Sequence, residues 1–296
     1  MTVPDLGRVG LWTFFLDLQP AERVRDLVPE IEAMGWGCVW VPEAVNRDAM
    51  VNSALLLSAS TTLNIGTGIA SIWGRDPMTT AASLKSLSEA WPGRFVLGLG
   101  VSHQPMVDHI RGQDYTKPFT KMRDYLAAMD AALYMSPAPE TTHVVLAALG
   151  PKMLELSATA ADGAHPYFVP VEHTVVAREH LGPDALLAPE QAVVLSTDAD
   201  EARRVARGHM ATYLNLPNYT NNLRRFGWGD EDLADGGSDR LVDAIVAWGD
   251  EQAVLDRVAA HHERGADHVA LQVLPLDGAS VPMDDWRRLA TALELT

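Results

Sequence analysis

Residues 63–103 read LNIGTGIASIWGRDPMTTAASLKSLSEAWPGRFVLGLGVSH, and the fold is decided there. An apolar run closes on glycine, a Gly-Arg-Asp-Pro linker follows, and a helical pattern leads to a second apolar run ending Gly100, Val101, Ser102, His103. Two strands joined by a helix form a parallel unit, and small polar residues at the C-terminal strand ends are where such folds build ligand sites. Pro77 opens the helix at its first turn, where a missing N–H costs nothing. The arrangement points to a bound cofactor.

Outward from this unit the same alternation runs through the chain. Strand patterns fall at 9–14, 38–43, 63–70, 94–101, 143–149, 163–169, 191–196 and 267–274. Helical patterns fall at 22–34, 49–60, 77–90, 118–134, 151–161, 171–181, 198–214 and 252–264, with a closing helix at 284–293. In the first of these, Val24, Leu27, Val28, Ile31 and Met34 make an apolar stripe that Gly35 ends and Pro29 interrupts. Eight strands alternating with eight helices is the count of an α/β fold of the (β/α)8 TIM barrel type, expected as one domain over 1–296. Only 215–250 breaks the rhythm, with LPNYTNN, FGWGDEDL and DGGSD before an apolar helix at 241–248. An insertion this long before the last strand is expected to be a lid or a partner surface.

Composition removes several classes of function. A net charge of −16 with no basic run argues against nucleic acid, which needs clustered Lys and Arg. Cys38 is the single cysteine, so internal disulfides and Cys-based zinc sites are impossible, and its apolar setting reads as a packed thiol. The histidines are scattered without ligand spacing, and no metal is expected. No apolar segment reaches membrane-spanning length and no leader pattern opens the chain, so a cytoplasmic protein without a membrane partner is expected.

Barrel sites sit at the C-terminal strand ends, which selects the candidates. These ends carry Trp12, Thr13 and Phe14, then Glu43, then Gly68, Ile69 and Trp73, then Ser102 and His103, then Gly150 to Met153, then His165 and Tyr167. The set is rich in aromatics and lacks the paired acids of a glycosidase, so it suits a flat ring system. His103 is a candidate catalytic proton donor or acceptor. Glu43 is a second candidate catalytic residue that positions a polar group of the ligand; the other reading is a carboxylate tied to nearby backbone. Trp12, Trp73 and Tyr167 are candidate walls of a substrate pocket, with plain core as the other reading. Gly98 and Gly100 leave one strand face bare, to admit a ring or to fit a tight barrel layer. The N–H groups of Gly150, Lys152 and Met153, at a Gly-Pro turn opening a helix, can cradle a phosphate.

Taken together, VWVPEA, LNIGTGIASIWGRDP, WPGRFVLGLGVSH, LGPKMLELSATAADGAHPYFVP and GADHVALQVLP occur in one order over nearly the whole chain. In that order they resemble the bacterial luciferase-like superfamily of flavin- and deazaflavin-dependent oxidoreductases, and within it the actinobacterial branch that uses coenzyme F420. The resemblance implies a barrel whose mouth holds the cofactor ring beside Gly68, Ile69 and Ser102, with the cofactor phosphate at Gly150, Pro151, Lys152 and Met153. It also implies a cis peptide at Gly68–Ile69 and a homodimer. The activity it implies is hydride transfer between coenzyme F420 and a small organic substrate. An FMN-dependent monooxygenase and a non-catalytic cofactor-binding barrel are the alternatives. Two departures stand out: Ala44 follows Glu43 where many relatives have a catalytic histidine, and His103 replaces a glutamate that some relatives place after the fourth strand.

Overall fold

The computed structural model describes residues 5–295; the first four residues and Thr296, counted in the expected domain, lie outside the described residues. The first half alternates as expected: β1 (Val9–Trp12), α1 (Ala21–Ala33), β2 (Cys38–Val41), α2 (Ala49–Ser58), β3 (Asn64–Thr67), β4 (Ala70–Ser71), α3 (Pro77–Ala90), β5 (Phe95–Gly100), α4 (Pro118–Asp130) and β6 (His143–Leu146). There follow α5 (Pro151–Ala160), β7 (Gly163–Ala164), α6 (Val171–Leu181), β8 (Leu186–Leu187), β9 (Glu190–Val194) and α7 (Ala199–Tyr213). The chain ends with α8 (Pro217–Arg225), α9 (Asp230–Leu233), α10 (Asp239–Ile245), β10 (Val246–Trp248), α11 (Glu251–Glu263), β11 (Val269–Val273) and α12 (Met283–Ala292).

All strand pairings are parallel, in the order β10-β9-β11-β1-β2-β3-β5-β6-β7-β8, with β4 joined to β5. The ring closes through one broken strand. Only Ala188 and Pro189 separate β8 from β9. On one side this stretch bonds the chain at β7, through Ala188 N to Ala164 O (2.9 Å) and Glu190 N to Pro166 O (2.8 Å). On the other side Asp267 N reaches Leu187 O and Ala270 N reaches Pro189 O, both at 2.9 Å. The protein is therefore a (β/α)8 barrel.

Inside the ring, glycines face the largest side chains. A Cβ on Gly66 would enter the Trp40 ring, and one on Gly10 would lie 2.8 Å from the His268 ring. Trp40 stacks on His165 at 4.2 Å and 7° and donates from Nε1 to His268 Nε2 at 3.1 Å. His268 then donates from Nδ1 to Gly7 O at 2.8 Å, which fixes one neutral tautomer. Burial holds the pKa of His268 down to about 4 and that of His165 to about 3. Cys38 lies fully buried in this interior, and burial drives its thiol pKa up.

Three expectations change. The sixth strand shrinks from 163–169 to Gly163–Ala164, because Pro166 has no N–H for a ladder and Phe168 sits at φ 57°. The helix expected at 241–248 stops at Ile245, since Val246, Ala247 and Trp248 pair with Ala192, Val193 and Val194 as an added strand. Within 215–250 the structure also forms α8 and α9, and Tyr219 and Leu223 of α8 join a second core cluster with Phe168 and Met210.

Candidate active site

The chain leaves β5 through Ser102, at φ 55°, whose carbonyl accepts from the Tyr115 hydroxyl at 3.4 Å. This bend delivers His103 to the barrel mouth. His103 Nδ1 is buried without a partner, and the ring lies 5.3 Å from that of Tyr219. Burial lowers the pKa of His103, while a hydrogen bond to the side chain of Asn218 draws it the other way. The neutral ring is thus the resting form near neutral pH.

Beside it stands a box of rings. Trp12 meets Phe14 at 4.6 Å edge to face and Tyr167 at 5.0 Å. Tyr167 lies 5.1 Å from Tyr213, which lies 5.3 Å from Tyr219. The Tyr167 hydroxyl has 2.8 Å hydrogen bonds with the Tyr213 hydroxyl and with Gln272 Oε1. Below the rings lies Glu190, 2% exposed. Its Oε2 accepts from Phe168 N at 3.1 Å and its Oε1 has no partner. Burial raises its pKa to about 8 against the Phe168 hydrogen bond, so the group is largely a neutral acid at pH 7.

The Gly68–Ile69 peptide is cis, as the resemblance implied. A Cβ on Gly68 would strike Trp12 Nε1 and lie 3.1 Å from His165 Nε2, two buried atoms that both lack partners. The bare glycine face of β5 holds no open gap: the Ile69 side chain occupies the space over Gly100, and its Cγ2 lies 3.4 Å from where a Cβ of Gly98 would stand. Of the two readings of those glycines, tight layer packing is the observed one.

Glu43 takes the structural role of its two. Its Oε2 accepts from Ser71 N at 2.8 Å and from Arg75 Nη1 at 2.9 Å, while its Oε1 accepts from Ala49 N at 3.3 Å and pairs with Arg75 Nη2. The two side chains are 6% and 8% exposed. Burial works against the charge of Arg75, but Glu43 and then Asp48 outweigh it and raise its pKa. A carboxylate so fully engaged pins β4 to the start of α2, and the catalytic role expected for it is withdrawn. Trp73 is also corrected: its Nε1 donates to Val101 O at 2.8 Å, Lys121 Nζ sits 4.2 Å over its ring, and it belongs to the core outside the barrel, apart from Trp12.

At the other end of the mouth, α5 starts without a side-chain cap, as α4 and α6 on either side of it do. Asp48, Asp76, Asp198 and Asp250 cap α2, α3, α7 and α11 with their carboxylates, whereas Gly150 gives α5 no side-chain cap. Met153 N is engaged with Gly150 O at 3.0 Å, which removes it from the expected cradle. The N–H groups of Gly150 and Lys152 make no hydrogen bond among the described residues. Above them, Arg225 Nη1 lies 2.7 Å from where a Cβ of Gly150 would sit, and Arg225 forms no ion pair among the described residues. The cradle therefore fits an anionic phosphate. Helix α8 links the two ends, with Asn218 and Tyr219 at His103 and Arg225 at Gly150, about 10 Å apart along the axis at 1.5 Å per residue. Sequence reading missed Tyr219, Arg225 and Glu190; the polar stretch PNYTNNLRR, an amphipathic helix ending in two arginines, was the available signal for the first two.

Residues 8–268 match the family described as luciferase-like monooxygenase. The chain belongs to the luciferase-like monooxygenase family. This luciferase-like chain is 24% identical over 291 residues to a 5,10-methylenetetrahydromethanopterin reductase of Archaeoglobus fulgidus, covering 80% of this chain and 85% of the relative. Among solved structures, an F420-dependent secondary alcohol dehydrogenase in complex with an F420-acetone adduct superposes with a TM-score of 0.76 at 12% identity, covering 97% and 98% of the two chains. The oxygenating constituent of 3,6-diketocamphane monooxygenase from Pseudomonas putida, in complex with FMN, superposes at 0.64 and 16% identity over 97% and 96%. At these identities the two structures share the fold with this luciferase-like chain. Among the described residues no helix is long and apolar enough to cross a membrane, and no group of three His, Cys, Asp or Glu is disposed to hold a metal.

Proposed function

We propose that this luciferase-like chain is an oxidoreductase that uses coenzyme F420 to move a hydride to or from a small organic substrate at the barrel mouth. One observation carries the reading: α5 begins uncapped beneath a guanidinium without another partner, so two free N–H groups and Arg225 converge where a cofactor phosphate would rest. The reductase named among the relatives supports this chemistry. When bound, the deazaflavin supplies or takes the hydride.

The remaining tasks fall to this chain's side chains. Gly150, Lys152 and Arg225 hold the phosphate, and Pro151 fixes the turn that presents them. Gly68, Ile69 and Ser102 bound the ring seat. His103 accepts a proton at Nδ1 or returns one, and its depressed pKa keeps that position open near neutrality. Trp12 and Tyr167 exclude water from the reacting pair, and α8 closes over both ends as the lid.

The test is a titration of purified protein with coenzyme F420 and, separately, with FMN, followed by tryptophan fluorescence. Saturation by coenzyme F420 with little response to FMN is the expected result. FMN carries a phosphate of its own, and the reverse preference would make the chain a flavin monooxygenase. Silence with both would leave a non-catalytic barrel. The expected homodimer is read from sedimentation of the same sample.

A further inference from the structure

The ionic groups at the mouth are tied down on one flank. Glu43, Arg75 and Asp48 satisfy one another. Arg47 donates to the carbonyls of Leu16 and Gln19, and Asp17 is held by Asn52. On the flank facing His103 the surfaces are rings: Phe14, Tyr167 and Tyr213 are half-buried, with Trp12 and Tyr219 behind them. The Tyr167 hydroxyl is spent on the Tyr213 hydroxyl and on Gln272 Oε1. Four polar atoms on that side are buried without a partner, His103 Nδ1, Trp12 Nε1, His209 Nε2 and Glu190 Oε1, and none of their groups carries a charge near neutral pH. Arg225, which forms no ion pair among the described residues, stands at the far end of α8.

Any molecule that reaches His103 must leave water among rings with no ion to receive a charge. An unpartnered charge loses its hydration there without compensation, whereas an aromatic ring gains edge and face contacts. Resting on the oxidoreductase reading above, we infer that this aromatic box is the substrate subsite and takes an uncharged aromatic molecule with one hydrogen-bonding oxygen. The oxygen meets His103, and the ring lies against Phe14 and Tyr213. Carboxylated or phosphorylated compounds are rejected by the same surface.

Equilibrium dialysis of the full chain against acetophenone and against para-acetylbenzoate, which differ by one carboxylate, tests the inference directly. The ketone is expected to bind at least about tenfold more tightly. Phe14→Leu should weaken the ketone about threefold, and Tyr213→Arg should invert the preference by supplying the missing cation. Circular dichroism checks that both variants fold; should Tyr213→Arg not fold, the wild-type pair and Phe14→Leu decide. Equal affinities, tighter binding of the carboxylate, no uptake of acetophenone at millimolar concentration, or an unchanged Phe14→Leu would each overturn the inference. The cofactor titration is read on the same sample. Cofactor binding without the ketone preference sinks the subsite alone, and the ketone preference without cofactor binding sinks the oxidoreductase reading while leaving the ligand class of the box.

Discussion

On the flank of the mouth formed by the ends of β2, β3 and β4, ions lace the loops together: Glu43, Arg75 and Asp48 join two strand-to-helix connections, β2 to α2 and β4 to α3, in one network. On the flank formed by β7, β9 and β11, under α7 and α8, the groups are titratable yet held neutral, from Glu190 at about 8 to His165 at about 3. The first flank keeps its charges because each has a partner, and the second keeps its groups because each has lost its charge. Charge sets loop positions on one side so that the other can present an uncharged surface to a reacting molecule. The two flanks should fail in opposite ways: the neutral one when charge is added, the ionic one when charge is removed.

Acid adds charge and gives the largest effect. His165, His173, His261 and His268 are buried, and burial puts their pKa values at about 3 to 4 against an ordinary 6.5. A base with a depressed folded pKa contributes stability above 6.5 that is lost as pH falls toward the folded value, since the unfolded chain takes the protons first. Each costs on the order of 1.4 kcal/mol per pH unit in that window, so the four together exhaust a typical stability of about 5–15 kcal/mol below roughly pH 4.5. Far-UV circular dichroism across pH 4 to 7 should show cooperative unfolding in that range. Retention of the native spectrum at pH 4 would break the comparison.

Removing charge from the ionic flank comes next. Arg75→Ala leaves Glu43 buried without its partner and should cost about 3–5 kcal/mol in urea unfolding. The double variant Arg75→Ala with Glu43→Gln should recover part of that loss, because the orphaned charge is gone. A loss below about 1 kcal/mol for the single variant would mean that the pair behaves as an exposed one.

His103→Ala should slow turnover by about 10²–10⁴-fold while leaving the fold intact, the range for loss of a general acid or base. Unchanged turnover would remove His103 from the mechanism and place the proton transfer elsewhere. The strand-end position made this residue readable from sequence, and the barrel itself was readable because period-two and helical patterns alternate with few exceptions. Long-range contacts were not readable. Nothing local says that Tyr219 and Asn218 will lie over His103, more than a hundred residues away, or that Ile69 fills the space over Gly100. Glu43 shows the same limit: its strand-end placement was correct, but the partner that decides its role, Arg75, lies 32 residues on. Val246 to Trp248 read as helix because an apolar run has no period of its own, and only pairing with β9 makes it a strand.

The smallest effects separate a side chain from a backbone at the phosphate cradle. Arg225 lies against Gly150 with its guanidinium unpaired, whereas Lys152 is exposed and contributes its N–H. A charge-assisted hydrogen bond to phosphate is worth about 1.5–3 kcal/mol, so Arg225→Ala should weaken coenzyme F420 by roughly 10- to 100-fold in the fluorescence titration. Arg225→Lys should restore only part, because an ammonium cannot reproduce the planar fork. Lys152→Ala should change affinity by less than about threefold, since the backbone donor survives the substitution and an exposed charge is screened. If Lys152→Ala instead matched Arg225→Ala, the cradle would be a general cationic surface rather than a helix terminus closed by α8. The mouth would then lose its division into a neutral flank for the substrate and a single cation for the cofactor.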